Sequence, residues 1–182
     1  LGASLGGILL SCIFGFAYYA AYLEGNKTME DWDGPEDTES CAAEDWIGKP
    51  CPELVLTDVE GNQINLADLK GRKVILNFWS PGDILSRDAV PFFIEMRNTF
   101  PVEEVFIAGV CTWEDQDVIR GVGRQLGINY PLARCEELPA PLNSLYEWPA
   151  TVFIDQNGVF QAIYDEYHQL DKLMNLASAP AS

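Results

Sequence analysis

The chain has 182 residues, enough for one ordinary domain and an additional segment. Its 28 acidic and 11 basic residues give a formal net charge of −17, which argues against nucleic acid and anionic membrane surfaces as partners because both would repel it. The sequence has five cysteines, no Cys-x-x-Cys pair and a single histidine, so it lacks the ligand sets of zinc, haem and copper sites, and we predict no metal and no cofactor.

The first 23 residues carry no charge and are predicted to form a transmembrane helix. At about 1.5 Å per residue such a helix is roughly 34 Å long, enough to cross the hydrocarbon core of a bilayer. A retained signal sequence and a buried helix of a soluble protein are the alternatives. Signal peptides, however, have apolar cores of only about 7–15 residues and a basic leader.

Residues 24–45 are predicted to be an acidic linker between this helix and a globular domain. They hold nine acidic residues, with Lys27 as the one basic residue, and show little apolar periodicity. Cytoplasmic flanks of membrane helices are usually rich in Lys and Arg, so this composition favours an extracytoplasmic position for the domain that follows.

The globular domain is predicted to begin near Trp46 with two short strands. Leu54 and Leu56 in the first strand, and Ile64 and Leu66 in the second, recur at every other position, as in half-buried strands.

A central strand and a helix are predicted next. Residues 74–79 form an apolar run interrupted only by Asn77, which is typical of a strand covered on both faces. A helix is predicted from Ile84 onward because apolar residues recur at helical spacing, namely Ala89, Phe93, Met96 and Phe100.

The rest of the domain is predicted to contain a second central strand, two more helices and a hairpin around an Asn-Gly turn. In chain order these are a strand at 105–111, a helix at 118–126, a short extended piece at 130–133, hairpin strands at 151–155 and 159–164, a closing helix at 170–177 and a flexible tail at 178–182.

One segment resembles a known family: Val74-Ile-Leu-Asn-Phe-Trp-Ser-Pro-Gly-Asp-Ile-Leu-Ser-Arg-Asp-Ala-Val-Pro91. It is similar to the strand, catalytic turn and helix of membrane-tethered thiol-disulfide oxidoreductases of the TlpA/ResA group, in the AhpC/TSA-redoxin superfamily. In that family a tryptophan is followed by Cys-x-x-Cys-Arg and then by a proline. Counted from Trp79, the two cysteine positions are Asp83 and Ser86, while the arginine and the proline stay in register.

The resemblance covers residues 46–177 and implies a thioredoxin-like α/β fold. That fold has a central mixed sheet flanked by helices and an N-terminal hairpin extension, here preceded by the predicted transmembrane helix. Peroxiredoxins share the opening hairpin, but no cysteine follows Asp83 before Cys111, so peroxidase activity is not expected.

Asp83 and Ser86 are predicted to have structural roles, and we assign no catalytic residue. Disulfide exchange requires a thiolate that attacks sulfur, which neither a carboxylate nor an unassisted hydroxyl provides. The sole histidine, His168, lies on a different predicted element from Ser86 and is not placed to act as its base. Asp83 is well placed to cap the helix and to pair with Arg87 four residues later.

A second segment, Glu147-Trp-Pro-Ala-Thr-Val-Phe-Ile-Asp155, is similar to the family loop that faces the catalytic pair. The resemblance implies a cis peptide bond between Trp148 and Pro149, and a loop backbone that pairs with an extended substrate. We therefore predict a possible groove for a peptide or a partner, and a turn required only for the fold is the alternative. The groove residues are Trp79, Asp83, Trp113, Trp148 and Pro149.

Cys111 and Cys135 are predicted to follow neighbouring extended pieces of the chain. Three interpretations stay open for them: a disulfide, two inert thiols, or a redox pair relocated from the motif positions.

Together these features favour a non-catalytic, membrane-anchored, thioredoxin-like accessory subunit rather than an enzyme. It is expected to bind and stabilise a larger membrane complex, respiratory or photosynthetic, through helix 1–23 and the soluble domain. The alternatives are a thiol-disulfide oxidoreductase that uses non-motif cysteines and a periplasmic peptide-binding chaperone. The expected location is the inner membrane, with the domain on the periplasmic or another extracytoplasmic side.

Overall fold

A computed structural model of the chain describes residues 43–145, 149–164 and 171–180. Within these ranges the strands are β1 (Val55–Asp58), β2 (Gln63–Asn65), β3 (Lys73–Phe78), β4 (Val105–Cys111), β5 (Leu132–Arg134), β6 (Ala150–Ile154) and β7 (Phe160–Tyr164). The α-helices are α1 (Ile84–Thr99), α2 (Gln116–Leu126) and α3 (Asp171–Ser178). Short 3-10 helices cover Ala43–Trp46, Leu66–Leu69 and Leu142–Ser144.

The seven strands form one mixed sheet in the order β2-β1-β5-β4-β3-β6-β7. β4 pairs in parallel with both β3 and β5, and the other neighbours are antiparallel. The parallel pairs enclose helical connections, as parallel strands require. This arrangement confirms the predicted thioredoxin-like α/β fold with a mixed sheet.

The two central strands divide the hydrophobic core into two parts. All six residues of β3 and all seven of β4 are buried, and successive side chains of a strand point to opposite faces. The helical-face core packs one set of alternate residues against the three α-helices, and includes Ile75, Trp79, Phe93, Ile107, Cys111, Ile119 and Leu173. The hairpin-face core packs the other set together with residues of the N-terminal hairpin, and includes Leu54, Leu56, Leu76, Phe78, Val110, Cys135 and Phe160.

The predicted Asn-Gly turn joins β6 to β7. The carboxylate oxygen Oδ1 of Asp155 accepts hydrogen bonds from the backbone N–H groups of Asn157 at 2.9 Å and Val159 at 3.0 Å. Gly158 has φ of 80°, a left-handed backbone conformation that residues other than glycine and asparagine rarely adopt. The hairpin prediction is confirmed, and β7 begins one residue later than expected.

Lys73, the first residue of β3, fixes the end of helix α3. Its side chain is buried, and its Nζ donates hydrogen bonds to the carbonyl groups of Leu176 at 3.1 Å, Ala177 at 2.7 Å and Ala179. The last carbonyl groups of a helix have no partners within the helix and carry partial negative charge. The buried cation therefore neutralises the helix end and holds it against the sheet.

Within the described ranges, no helix is long and apolar enough to cross a membrane. The predicted transmembrane helix 1–23 and nearly all of the predicted linker 24–45 lie outside the described residues, so both stay predictions. The first described element, Ala43–Trp46, begins three residues before the expected start of the domain. Helix α3 ends one residue beyond the expected boundary at 177.

Candidate functional site

Three segments of the chain meet at one end of the sheet. The carboxyl ends of β3 and β4 lie side by side because these strands are parallel, and the N–H of Trp79 donates to the carbonyl of Val110 at 3.0 Å. β6 runs antiparallel to β3 with Ala150 opposite Phe78, so Pro149 lies at the same end. We call this end the carboxyl edge, formed by residues 79–86, 111–115 and 149.

Asp83 caps helix α1 at the carboxyl edge. Its backbone is extended, with φ of −88° and ψ of 132°, and its Oδ2 accepts a hydrogen bond from the N–H of Ser86 at 2.6 Å. This geometry confirms the predicted N-cap. The sequence also predicts an ion pair between Asp83 and Arg87, and this pair is absent from the ion pairs of the described residues. The carboxylate is engaged as a cap instead. The two residues are joined through their backbones, since the N–H of Arg87 donates to the carbonyl of Asp83 at 3.2 Å.

Ser86 is fully buried and braces the turn between β3 and α1. Its Oγ accepts a hydrogen bond from the N–H of Ser80 at 3.2 Å, and the Oγ of Ser80 accepts one from the N–H of Gly82 at 3.3 Å. The hydroxyl of Ser86 thus satisfies a backbone donor of the turn. A structural role accounts for both residues at the motif positions.

Trp79 is part of the core and does not line a groove. Only 1% of its surface is exposed, and its indole packs on β4 at Gly109. A Cβ atom added at Gly109 would lie 2.9 Å from the indole Nε1 and 2.7 Å from Cδ2 of Leu132, so only glycine fits there. The prediction that Trp79 belongs to a peptide groove is therefore wrong, because its side chain points into the helical-face core.

The other predicted groove residues have different positions. Trp113 is 63% exposed, Asp83 is half-buried, and Pro149 is buried. Trp148, and with it the predicted cis bond to Pro149, lies outside the described residues. The groove thus stays a prediction. Among its described residues, only Trp113 and Asp83 have exposed surface.

An exposed apolar surface that the sequence analysis missed borders the carboxyl edge. Ile84 is 71% exposed and Leu85 is 49% exposed, in the first turn of α1, and both lie at the same end of the sheet as Trp113. We call these three residues the apolar rim. The helical spacing contained a signal for only part of it, since Ile84 is out of phase with the buried positions of α1 whereas Leu85 is four residues before the buried Ala89.

Cys111 and Cys135 are free thiols on opposite faces of the sheet. The N–H of Cys135 donates to the carbonyl of Cys111 at 2.9 Å, yet Cys111 belongs to the helical-face core and Cys135 to the hairpin-face core. A disulfide requires side chains that point toward each other. The structure therefore does not form the candidate disulfide, and the two thiols are not arranged as a relocated redox pair.

Burial disfavours the thiolate form of each cysteine in the described part of the chain. It raises the pKa of Cys51 to about 11 and raises the pKa values of Cys111 and Cys135 above the ordinary range. At Cys111 the backbone N–H groups of Glu114, Trp113 and Thr112 oppose this effect in part, which lowers the pKa from what burial alone would give. All three thiols are mainly protonated at neutral pH.

The acidic, cysteine and histidine side chains of the described ranges do not gather around a metal position. Within those ranges no group of three such residues could hold a metal ion.

Comparison with known proteins finds one matching family and several relatives that are named thiol-disulfide oxidoreductases. The profile of the AhpC/TSA family matches residues 47–163. The thiol-disulfide oxidoreductase ResA of Bacillus anthracis is 28% identical over 126 residues, and a ResA of Bacillus cereus is 32% identical over 126 residues. Each alignment covers 69% of this chain and 64% of the relative, so the chain spans less than two thirds of the length of these relatives.

Solved structures show the same fold. The thioredoxin domain of a thiol-disulfide oxidoreductase from Bacteroides vulgatus has a TM-score of 0.63 at 20% identity, and covers 72% of this chain and 98% of that domain. A thiol:disulfide interchange protein of the thioredoxin family from Chlorobium tepidum has a TM-score of 0.60 at 19% identity, and the match covers 70% of this chain and 94% of that protein chain. At these identities the likeness concerns the fold alone.

These comparisons correct one functional prediction. The prediction that the chain is not an enzyme is wrong, because the relatives that match it are named thiol-disulfide oxidoreductases. The comparisons fit the alternative of an oxidoreductase better than a redox-inactive accessory subunit of a respiratory or photosynthetic complex.

Proposed function

This chain belongs to the AhpC/TSA family, and on that premise we propose that it is a thiol-disulfide oxidoreductase whose reactive thiol is Cys111. The motif positions hold Asp83 and Ser86, which contain no sulfur. The observation that carries the proposal is the position of Cys111. It is the last residue of β4, beside the strand β3 that leads into the turn at 80–86, and so it brings a thiol to the carboxyl edge.

The surroundings of Cys111 set its reactivity. The N–H groups of Thr112, Trp113 and Glu114 favour the thiolate, while burial and the negative charge of Glu114 oppose it, and the net effect raises the pKa. The side chain of Cys111 has no exposed surface, so reaction requires the segment 112–115 to open. We expect a slow thiol whose reactivity increases with pH.

A single thiol exchanges disulfides without net oxidation. The Cys111 thiolate attacks one sulfur of a client disulfide, forming a mixed disulfide while the other client sulfur leaves as a thiolate and takes a proton from water. A client or small-molecule thiolate then attacks the client sulfur of the mixed disulfide, and Cys111 leaves as the thiolate. Client disulfides are thereby rearranged, and Cys111 returns to its starting state.

The apolar rim supports a polypeptide as the client. Exposed apolar groups beside a reactive group bind apolar side chains of a substrate. Acidic residues flank the rim at Asp83, Glu114, Asp115 and Asp117. A client segment with apolar and basic side chains complements this surface.

The position of the protein in the cell belongs to the same proposal. A membrane helix at 1–23 and an acidic linker at 24–45 would hold the domain on the extracytoplasmic side of the inner membrane, where disulfides persist. The charge-free composition of residues 1–23 supports the anchor. Binding to a membrane protein complex through the helix and the domain is a further part of this proposal.

The test is disulfide exchange with a fluorescent peptide disulfide that carries leucine and lysine side chains. Acid quenching and peptide mapping of the full-length protein should find the mixed disulfide on Cys111. Since the thiolate fraction below the pKa increases about tenfold per pH unit, the rate should increase by about that factor from pH 7 to pH 8.

Two serine variants provide matched controls for this measurement. Cys111→Ser should abolish the adduct and the exchange, whereas Cys135→Ser, on the opposite face of the sheet, should retain both. Exchange that continues at the same rate in Cys111→Ser would refute the role of this thiol.

A further inference from the structure

A cavity lies at the opposite end of the sheet from the carboxyl edge. It has a volume of about 160 Å3 and is lined by residues before β1, by the turn that precedes β3 and by the β6–β7 turn. It includes Val74 near the start of β3, and at about 3.3 Å per residue Val74 lies roughly 16 Å from Trp79 along the strand. The cavity is therefore separate from the site of the proposed exchange reaction.

The lining of this cavity carries both signs of charge. Lys70 and Arg72 are cationic, and Glu53 and Asp155 are anionic. Neither Lys70 nor Arg72 appears in an ion pair between described residues. Such a lining complements a ligand that carries both carboxylate and ammonium groups, since charge-assisted hydrogen bonds are the strong ones.

The size of the cavity restricts the ligand further. The volume of about 160 Å3 is smaller than the about 300–1,000 Å3 of typical pockets for drug-sized ligands. It fits a group the size of an amino acid.

Cys51 adds a reactive atom to the same lining. It is partly exposed, in contrast to the buried Cys111 and Cys135. We propose that this cavity binds a low-molecular-weight disulfide of the amino-acid type and that Cys51 becomes S-thiolated there. The carboxylates of the ligand pair with Lys70 and Arg72 while one of its sulfur atoms reaches Cys51.

The reaction balances without another oxidant. Cys51 gives its proton to water, and its thiolate attacks one sulfur of the small disulfide. A bond forms between that sulfur and Sγ of Cys51, the original S–S bond breaks, and the other half of the ligand leaves as a thiolate that is then protonated. Cys51 is oxidised, and the departing half is reduced.

The burial of Cys51 affects both directions of this reaction. Its pKa of about 11 makes the forward attack slow at neutral pH. A thiol of high pKa is also a poor leaving group, so reduction of the adduct is slow. The modification is therefore acquired gradually and retained.

The experiment is incubation of the full-length protein with L-cystine, the disulfide of two cysteine molecules, followed by intact-mass measurement and peptide mapping. The adduct should form on Cys51 and be absent at that position in Cys51→Ser. A double variant, Lys70→Ala with Arg72→Ala, should be modified about tenfold more slowly, as the loss of two partly exposed ion pairs implies.

An uncharged probe and a charge-conserving variant make the result specific. With 2-hydroxyethyl disulfide the double alanine variant and the original protein should react at equal rates. Lys70→Arg with Arg72→Lys should keep the rate of modification by L-cystine. The proposal is overturned if folded protein is not modified at Cys51, or if the alanine variant slows reaction with both probes equally.

Discussion

The buried hydroxyl of Ser86 gives the carboxyl edge its shape at the level of single atoms. It accepts from the N–H of Ser80, while the carboxylate of Asp83 accepts from the N–H of Ser86 itself. Two side-chain oxygens thus satisfy two backbone donors within one turn. Removal of either oxygen leaves a backbone N–H group without its hydrogen-bond partner, and this lowers the free energy of unfolding where water cannot replace the partner.

Substitutions at these two positions should therefore lower stability by different routes. Asp83→Ala is expected to cost about 0.5–2 kcal/mol of unfolding free energy through loss of the helix cap. Ser86→Ala is expected to cost about 1–3 kcal/mol because the Ser80 donor is left unsatisfied. Urea unfolding measures both, with Glu95→Ala on the exposed side of α1 as a control expected within about 0.5 kcal/mol of the original protein. Equal stability of all four proteins would contradict the assigned hydrogen bonds.

The sequence alone contained part of this residue-level information. The N-cap was predictable because Asp83 precedes a helical pattern directly, which is a local signal. The burial of Trp79 was predictable from strand alternation, since Ile75 and Trp79 are an even number of residues apart and share one face. The resemblance favoured a groove position instead and led to the wrong assignment.

At the scale of elements, helix α2 is held close to the sheet by the absence of one side chain. Gly123 is buried, and a Cβ atom added there would collide with Cδ1 of Leu132 on β5. Gly121, two residues earlier in the same helix, faces open space. The two glycines thus have different reasons for their presence in one helix.

Alanine substitution at these two glycines should change the free energy of unfolding in opposite directions. Gly121→Ala is expected to stabilise the protein by about 0.5–1 kcal/mol, because alanine is the better helix former and nothing obstructs its methyl group. Gly123→Ala is expected to destabilise it by about 1–3 kcal/mol through overpacking against Leu132. Thermal unfolding of both variants measures the difference, and a stabilised Gly123→Ala would show that α2 does not pack on β5 as described.

Local patterns predicted the elements better than their pairing. The apolar run at 74–79 and the Asn-Gly turn identified β3 and the last hairpin without long-range information. The faces of Cys111 and Cys135 depend on how β4 pairs with β5, where Gly109 stands opposite Leu132. Registers between distant strands leave little trace in a single sequence, so the candidate disulfide was not decidable from it.

For the whole molecule, the buried thiols and Tyr130 predict a loss of stability at alkaline pH. Burial raises the pKa values of Cys51, Cys111, Cys135 and Tyr130 in the folded state. Above the ordinary thiol pKa the unfolded chain therefore binds fewer protons than the folded chain, and stability decreases as pH increases. The contribution of these protonated groups to the free energy of unfolding is fully present below about pH 8.5. For Cys51 it is lost progressively as the pH increases to about 11.

Urea unfolding at pH 7.5, 9 and 10 should show this decrease. Cys51→Ser removes one of the responsible groups, so its stability should fall less steeply over the same range. A flat pH profile for the original protein, or an equal slope for Cys51→Ser, would contradict the buried and neutral state of this thiol.

The contact between Lys73 and the end of α3 connects the last residues of the described chain to β3, one of the two central strands. A protease that cut before Ala179 would remove one of the three acceptors of the ammonium group, and a cut before Leu176 would remove all three and leave a positive charge in apolar surroundings. Loss of these C-terminal residues would thus destabilise the start of β3, which is more than a hundred residues away in sequence. Intact C-terminal residues are in this sense a condition for the integrity of the sheet.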